Sequence, residues 1–526
     1  MTALDILATG TDSPRKQRML LQGLQKGPNR SVITTPNLST FPQVDIPRGQ
    51  SSILDSPKQI HLLGVGGAGV SGAARLLDAM GHSLTGFDRE ASDFSKPLEA
   101  EGIAIAYGDS NVAALPEGTQ LVIRSAAVGD SDPQVVSARE KGITIMKYAD
   151  VLGWMSRRFS VLGVAGTHGK TTSSWMLYHA MSGIDSLLAD SDPQTRTGVL
   201  VGGLHGELRI NAVAPEGSGP LVLEACEYDR TFLRIDPKGA LITNVEADHL
   251  DYYGDLAAIH QAFACFASQV SSDGLLVVGS QVPDVVAESA SCEVWRLGKE
   301  IQVETHNQRR GMSTFSVKGP GWNLSRVRLS VPGNFNVENA AVALSLAMGL
   351  AQRKGLDLQQ AAEAAARGIQ AFTGTVRRFE SWGTPGGVEL VHDYAHHPTE
   401  VRVTLETARR TMPGKPIHVL FQPHQHSRTA RFLHGFVDAL QGAARVVVAD
   451  VYGARAHIDV NTAGAGELVD ALIEAGVPAV RGGDLCQSSA TFAHGLNGVC
   501  GALILGAGDI DGIKDELRNE LALRCS

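Results

Sequence analysis

Short apolar runs that end in glycine-rich turns and lead into segments of helical period recur in three stretches of this chain. That order is the signature of α/β units built on parallel sheets. The first block starts with the run Ile60 to Leu63 and the second with Ser160 to Val164. The third holds Val388 to His392, Ile417 to Phe421 and Val446 to Ala449. The expectation is an α/β protein of three domains: a Rossmann-like N-terminal domain at 58–157, a P-loop-type central domain at 158–374 and a Rossmann-like C-terminal domain at 375–526. Residues 1–57, with scattered Pro, Ser, Thr and Gly and one short candidate helix near Met19 to Leu24, read as a mostly disordered extension.

A chain of 526 residues, 43% of them apolar, is long enough for several cores. Its formal net charge of -9 leaves no basic footprint for nucleic acid. The six cysteines, Cys226, Cys265, Cys292, Cys486, Cys500 and Cys525, are widely spaced and fit a reducing cytoplasm. No apolar run is long enough to span a membrane, and the N-terminus lacks a secretory apolar core. A cytoplasmic protein follows as the expectation.

The first glycine loop, Gly64-Val65-Gly66-Gly67-Ala68-Gly69, follows a strand and opens a helix over Val70 to Met80. Small residues let backbone approach a diphosphate, and the helix N-terminus offers free N–H groups and partial positive charge. Asp88 lies about 20 residues on, where an acidic side chain can meet a ribose hydroxyl or a base. Alone, this loop reads as a site for NAD, or as a tight packing turn with no ligand.

The second loop, Gly163 to Thr172, has the form of a phosphate cradle. It departs from the generic P-loop because Val164 stands where the first glycine belongs. Backbone N–H groups from Thr167 to Lys170 can surround phosphates, Lys170 brings a cation, and Thr171 or Thr172 can reach Mg²⁺. Downstream, Glu224, Glu227 and Asp229 cluster after an apolar strand, and Glu246-Ala247-Asp248-His249-Leu250-Asp251 follows the next one. A carboxylate at a strand end with a nearby His suits Mg²⁺, which takes few protein ligands. Asn336 and Asn339, three apart at a helix start, lie near one face, although a capping role also explains Asn336. His392-Asp393-Tyr394-Ala395-His396-His397 would suit zinc in principle, but no third ligand of convincing spacing is visible.

Gly166-Thr167-His168-Gly169-Lys170-Thr171-Thr172 resembles the phosphate loop of the Mur ligases, in the variant with His typical of the alanine-adding and tripeptide-recycling branches. The resemblance extends to Glu224-Ala225-Cys226-Glu227, to Glu246 through Asp251, to Gly333 through Ala340, to Val376-Arg377-Arg378-Phe379, to Asp393 through Glu400, and to Phe421 through Thr429. It covers nearly the whole chain after residue 57. It implies an ATP-dependent, carbon–nitrogen bond-forming ligase of peptidoglycan synthesis that uses Mg²⁺, joining L-alanine to UDP-N-acetylmuramate through an acyl phosphate. In this picture the first loop holds UDP rather than NAD, through Gly64, Gly66, Gly67, Ala68, Gly69 and Ser71, with Asp88 near the uridine. Ala165 through Thr172, Asn336, Asn339 and Asp393 hold ATP. Thr171, Glu224 and His249 hold the metal. Lys170 and Arg378 steady the transferring phosphoryl group. Tyr394, His396, His424 and Arg428 take the amino acid, its carboxylate gripped by the arginine.

Several positions depart from the family pattern: Cys226 and His392 each stand for Asp, Ala395 stands for Gly, and Gln425 and His426 differ from the commonest residues. The stretch Ala257 to Val270 carries no lysine where related branches hold a modified one, which fits the alanine-adding branch. The rival readings are a tripeptide-recycling ligase, an NAD-dependent oxidoreductase and a non-catalytic nucleotide-binding regulator.

Overall fold

A computed structural model describes residues 51–523, apart from 112–113, 189–191, 193, 310, 454–463 and 497. The extension over 1–50, the candidate helix near Met19 and Cys525 lie outside the described residues. Packed residues precede the expected boundary at residue 57. Ser51–Asp55 form a 3₁₀ turn in which Leu54 is 1% exposed, and Trp154 Nε1 donates to Asp55 Oδ1 at 3.1 Å. One anchoring leucine has no periodicity, so nothing in the sequence marks it as part of a core.

The first block is a parallel five-stranded sheet. Gln59–Leu63 is central, Ser83–Asp88 and Leu121–Arg124 flank it, and Ala104–Tyr107 and Thr144–Lys147 are the edges. The glycine loop leaves the carboxyl end of the central strand, the usual ligand edge of an open α/β sheet. The helix Ala68–Ala79 that follows buries Val70, Ala73, Leu76 and Leu77.

In the second block Val161–Ala165 is central, with Gly239–Asn244, Leu275–Gln281 and Glu293–Arg296 on one side and Leu221–Glu224, Gly198–Leu200 and the antiparallel Ala212–Val213 on the other. One continuous apolar core joins this sheet to the first block, running from Leu54 and Leu76 through Trp154 to Phe232 and Phe266. On the other face lies the helix Lys170–Leu188, packed against Asn334–Arg353 and the alanine-rich Leu358–Gln370. The approach is close: a Cβ on Gly183 would fall 2.2 Å from Ala364 O, and one on Gly368 1.9 Å from His179 O. An antiparallel meander, Gln302–Arg309, Met312–Gly319 and Trp322–Leu329, joins the same core.

The third block is a six-stranded sheet in the order Glu380–Gly383, Glu389–Asp393, Gly501–Leu505, Ile417–Phe421, Arg445–Ala449, Ala479–Gly483, parallel except for the first strand. Loops from the carboxyl ends of Glu389–Asp393 and Ile417–Phe421 face the phosphate loop of the second block.

Candidate active site

Only glycine fits two positions of the phosphate loop. Gly166 has φ +140°, and its Cβ would fall 1.9 Å from Thr243 Oγ1; Gly169 has φ +81°, and its Cβ would fall 2.9 Å from Asn339 Oδ1. The neighbouring strand end fixes the loop: Asn244 Oδ1 accepts from His168 N at 2.9 Å, and Thr243 Oγ1 donates to His168 O at 2.6 Å. Ala165 is fully buried as the last strand residue and carries the loop rather than lining it.

Lys170 Nζ donates to Gly166 O and Thr167 O and pairs with Glu227 Oε2 at 2.8 Å. Burial opposes its charge, but Glu227 more than compensates and holds the ammonium well above its usual range. Thr171 Oγ1 lies 3.1 Å from both carboxylate oxygens of Glu224, which also accepts from Gly202 N. His249 stands on a left-handed backbone, φ 49°, with Nε2 3.9 Å from Glu227. Burial lowers its pKa, leaving a neutral imidazole able to ligate. Cys226, between the two glutamates, is a neutral thiol pushed up to about 12 by burial and by Glu227.

Beside the loop opens a cavity of about 260 Å³, reached by Gly169, Thr172, Asn336, Asn339, Arg378 and Asp393. The helix at Asn334 is capped by Gly333, φ +101°, so the capping account of Asn336 fails. Instead Asn336 Nδ2 donates to Pro332 O, and Asn339 Nδ2 donates to Asn336 Oδ1 at 3.4 Å. Asp393 accepts from Phe379 N and Ala395 N, and burial raises it to about 6 against the pull of Arg378. Arg378 lies over the Tyr394 ring at 4.9 Å, with Nη1 3.7 Å from Glu400.

The four residues expected to take an amino acid come together. The Tyr394 and His396 ring centroids are 5.4 Å apart and those of His396 and His424 5.8 Å, while Arg428 Nη1 donates to His424 Nδ1 at 3.1 Å. The arginine fork is not idle, however. Its Nη2 donates to Asp248 Oδ1 at 2.9 Å, both side chains being 7% exposed. His396 is neutral, burial lowering it to about 4. Ala395 has no left-handed φ, so the replacement of Gly costs no backbone strain. His392 faces the opposite side of its strand, against Trp382, and its departure from Asp leaves the site untouched.

At the first loop, Gly64 takes φ +78°, and Gly67 N closes a turn onto Gly64 O at 3.1 Å. Asp88 turns inward: Oδ2 accepts from Gly66 N at 2.7 Å, so it holds the loop in shape. Gly69 lies under the Tyr148 ring, 2.8 Å from where its Cβ would be. Ser71 is fully buried and spends its hydroxyl on Ala68 O, so it supports the loop instead of facing a ligand. Asn211 of the second block, also fully buried, donates to Ala68 O at 2.6 Å and Ser71 Oγ at 3.1 Å.

Sequence reasoning missed Asn211, which sits in no motif. It also left Glu227, Asp248 and Glu400 without roles although each lies inside a motif. Glu400 is a hub, meeting His168 Nδ1 at 3.1 Å, His396 N at 3.0 Å and His397 N at 3.2 Å.

The family models described as "Mur ligase family, catalytic domain", "Mur ligase middle domain" and "Mur ligase, glutamate ligase domain" match residues 59–160, 164–347 and 377–486. Among curated proteins, the UDP-N-acetylmuramate–L-alanine ligase of Salinibacter ruber is 38% identical over 445 residues, 83% of this chain and 86% of that one. The ligase of the same name from Agathobacter rectalis is 35% identical, over 80% and 89%. Among solved structures, the UDP-N-acetylmuramate-alanine ligase MurC of Thermotoga maritima superposes with a TM-score of 0.72 at 26% identity, covering 89% of this chain and 99% of that one. A murein peptide ligase of Psychrobacter arcticus shares the fold at 0.64 and 22% identity, covering 88% and 99%. Three domain models in order and relatives of this identity across most of the chain show that it is an enzyme of the Mur ligase family.

Proposed function

We propose that this enzyme joins L-alanine to the carboxylate of UDP-N-acetylmuramate with ATP, for cytoplasmic synthesis of peptidoglycan precursors. The observation that carries the reading is the assembly of Tyr394, His396, His424 and Arg428 next to a phosphate loop whose lysine, threonine and flanking carboxylates are all in place. ATP occupies the cavity bounded by Asn336, Asn339 and Asp393, its phosphates toward Thr167 to Thr172. The glycine loop of the 58–157 domain holds the UDP end of the acceptor.

Lys170 and Arg378 offset the charge that builds on the γ-phosphoryl group as the muramate carboxylate attacks it, giving an acyl phosphate and ADP. Arg428 holds the alanine carboxylate and aims the amine at the acyl carbon. Attack gives a tetrahedral intermediate that collapses to amide and phosphate. The donor set Thr171 hydroxyl, Glu224 carboxylate and neutral His249 imidazole fits Mg²⁺ with its water shell, and Mg²⁺ bound there would neutralise phosphate oxygens.

Phosphate release measured with ATP, UDP-N-acetylmuramate and one amine at a time tests the reading. L-alanine should support turnover. Release with L-alanyl-γ-D-glutamyl-diaminopimelate but not with L-alanine would assign the enzyme to the recycling branch instead.

A further inference from the structure

The paired histidines after Asp393 lack a third metal ligand in the sequence. Folding instead brings one of them, His397, to two candidate ligands of another block. His168 of the phosphate loop and Glu246 at the end of the next strand meet His397 of the C-terminal block, with ligating atoms of all three within 4.8 Å of one another. His168 Nε2 lies 3.6 Å from Glu246 Oε2, and the two imidazole centroids are 4.9 Å apart. His397 is 5% exposed, and the Nε2 atoms of both rings are buried without a hydrogen-bond partner. His168 Nε2 has only the long ion pair with Glu246 and His397 Nε2 has no hydrogen bond, so the coordinating capacity of these buried nitrogens is underused.

We propose that His168, Glu246 and His397 form a binding site for a transition-metal dication of the zinc class, on the seam between the phosphate-loop block and the C-terminal block. Two imidazoles and a carboxylate are ligands for zinc rather than for magnesium, which prefers oxygen. Outer partners of the usual kind are present. Glu400 Oε1 lies 3.1 Å from His168 Nδ1, directing the other ring nitrogen inward, and Thr399 Oγ1 donates to Glu246 Oε2 at 2.8 Å. Three protein ligands would leave a coordination position for water or an outside group, and two of the three, His168 and Glu246, also line the cavity. Binding has two local costs. Burial opposes charge on His168, but Glu400 and Glu246 raise it to about 9, so the metal must displace its proton. His397 Nδ1 accepts from Thr399 N at 3.3 Å, which places the ring proton on Nε2, so the metal requires the other tautomer and gives up that long bond. Protons compete for the same nitrogens, and affinity falls with pH. The site shares no residue with the Mg²⁺ ligands Thr171, Glu224 and His249, and it stands whether or not the enzyme's amine substrate is alanine.

The test uses the full chain in saturating Mg²⁺, titrated with Co²⁺ by visible absorption and with Zn²⁺ in competition with a chromophoric chelator. Wild-type protein should take up one Co²⁺ with tetrahedral-type bands and no thiolate charge-transfer band. His397→Asn retains a capping side chain and should weaken Zn²⁺ binding about tenfold or more, as should Glu246→Gln, while Cys226→Ala should not. Zn²⁺ should also slow phosphate release in the wild type more than in His397→Asn. Unchanged Zn²⁺ affinity in both His397→Asn and Glu246→Gln, or a thiolate band that Cys226→Ala abolishes, would overturn the proposal by placing the metal elsewhere.

Discussion

Lys170, the cation proposed to meet the phosphates, also serves stability, because its counter-ion Glu227 is buried, with a side chain only 4% exposed. Lys170→Ala should lower kcat by a factor that corresponds to about 2.7–4 kcal/mol of barrier or more. It should also destabilise the protein by about 3 kcal/mol or more, since removing one partner strands a buried charge. Phosphate release and a thermal melt read the two effects separately, and near-normal turnover would sink the phosphate assignment. Leu54→Ala should cost about 2–3 kcal/mol in a denaturant melt if the anchor before residue 58 packs as described. At this scale the sequence revealed side chains set in family motifs, such as Lys170 and Arg428. It did not reveal Glu400 as a hub or Asp248 as a counter-ion, because a carboxylate in a motif reads the same whether it meets a metal, a cation or a backbone amide. Only the partner, supplied by a distant segment, decides.

Elements were legible where two signals coincided. The strand, glycine turn and helix at Gly64 and Gly166 announced the ligand edges of the first two sheets, and the order of the blocks followed. The meander Gln302–Leu329 was not read, although Met312–Gly319 alternates between exposed and buried residues as a half-covered strand should. It carries no chemistry and no phosphate turn to draw attention. Gly166→Ala tests the loop directly. At φ +140° with Thr243 in the space of the new Cβ, the change should cost about 1–3 kcal/mol in stability and abolish ligation. Normal ATP turnover would mean that the loop does not cradle phosphate. A second test lies behind the loop's helix, where His179 Nε2 and His205 Nε2 sit 3.0 Å apart beside Phe372. Burial, and then His205, lowers His179 from 6.5 to about 4. A depressed folded pKa means the unfolded chain binds the proton first. The stabilisation, on the order of 3 kcal/mol, is therefore complete above pH 6.5 and lost as pH falls toward 4. His179→Gln should flatten the melting temperature against pH across that window; an unchanged slope would show that the pair does not govern it.

Between the second and third blocks the seam is held by Arg428 with Asp248, His168 with Glu400, and Thr399 with Glu246. These contacts join two sequence regions whose motifs were each readable, yet their pairing depends on how the sheets face one another, which local pattern does not encode. The proposed amino-acid grip is thus built into the seam. Burial opposes ionisation of Asp248, but Arg428 holds its carboxyl well below the usual range, so the pair is fully charged at neutral pH. In the proposed reading, a substrate carboxylate arriving at Arg428 would share the guanidinium with Asp248. Arg428→Lys keeps the charge but loses the planar fork that serves two carboxylates at once, so it should raise the KM for L-alanine strongly and that for ATP little. Asp248→Asn leaves a buried guanidinium without its counter-ion. It should loosen the seam, seen as a larger radius of gyration in small-angle scattering. The double variant should show a coupling of about 0.5–3 kcal/mol in alanine kcat/KM instead of additivity. If Arg428→Lys impairs ATP and alanine equally, the arginine belongs to the seam alone and the carboxylate of the amino acid is held elsewhere; if the two changes simply add, Asp248 does not position it.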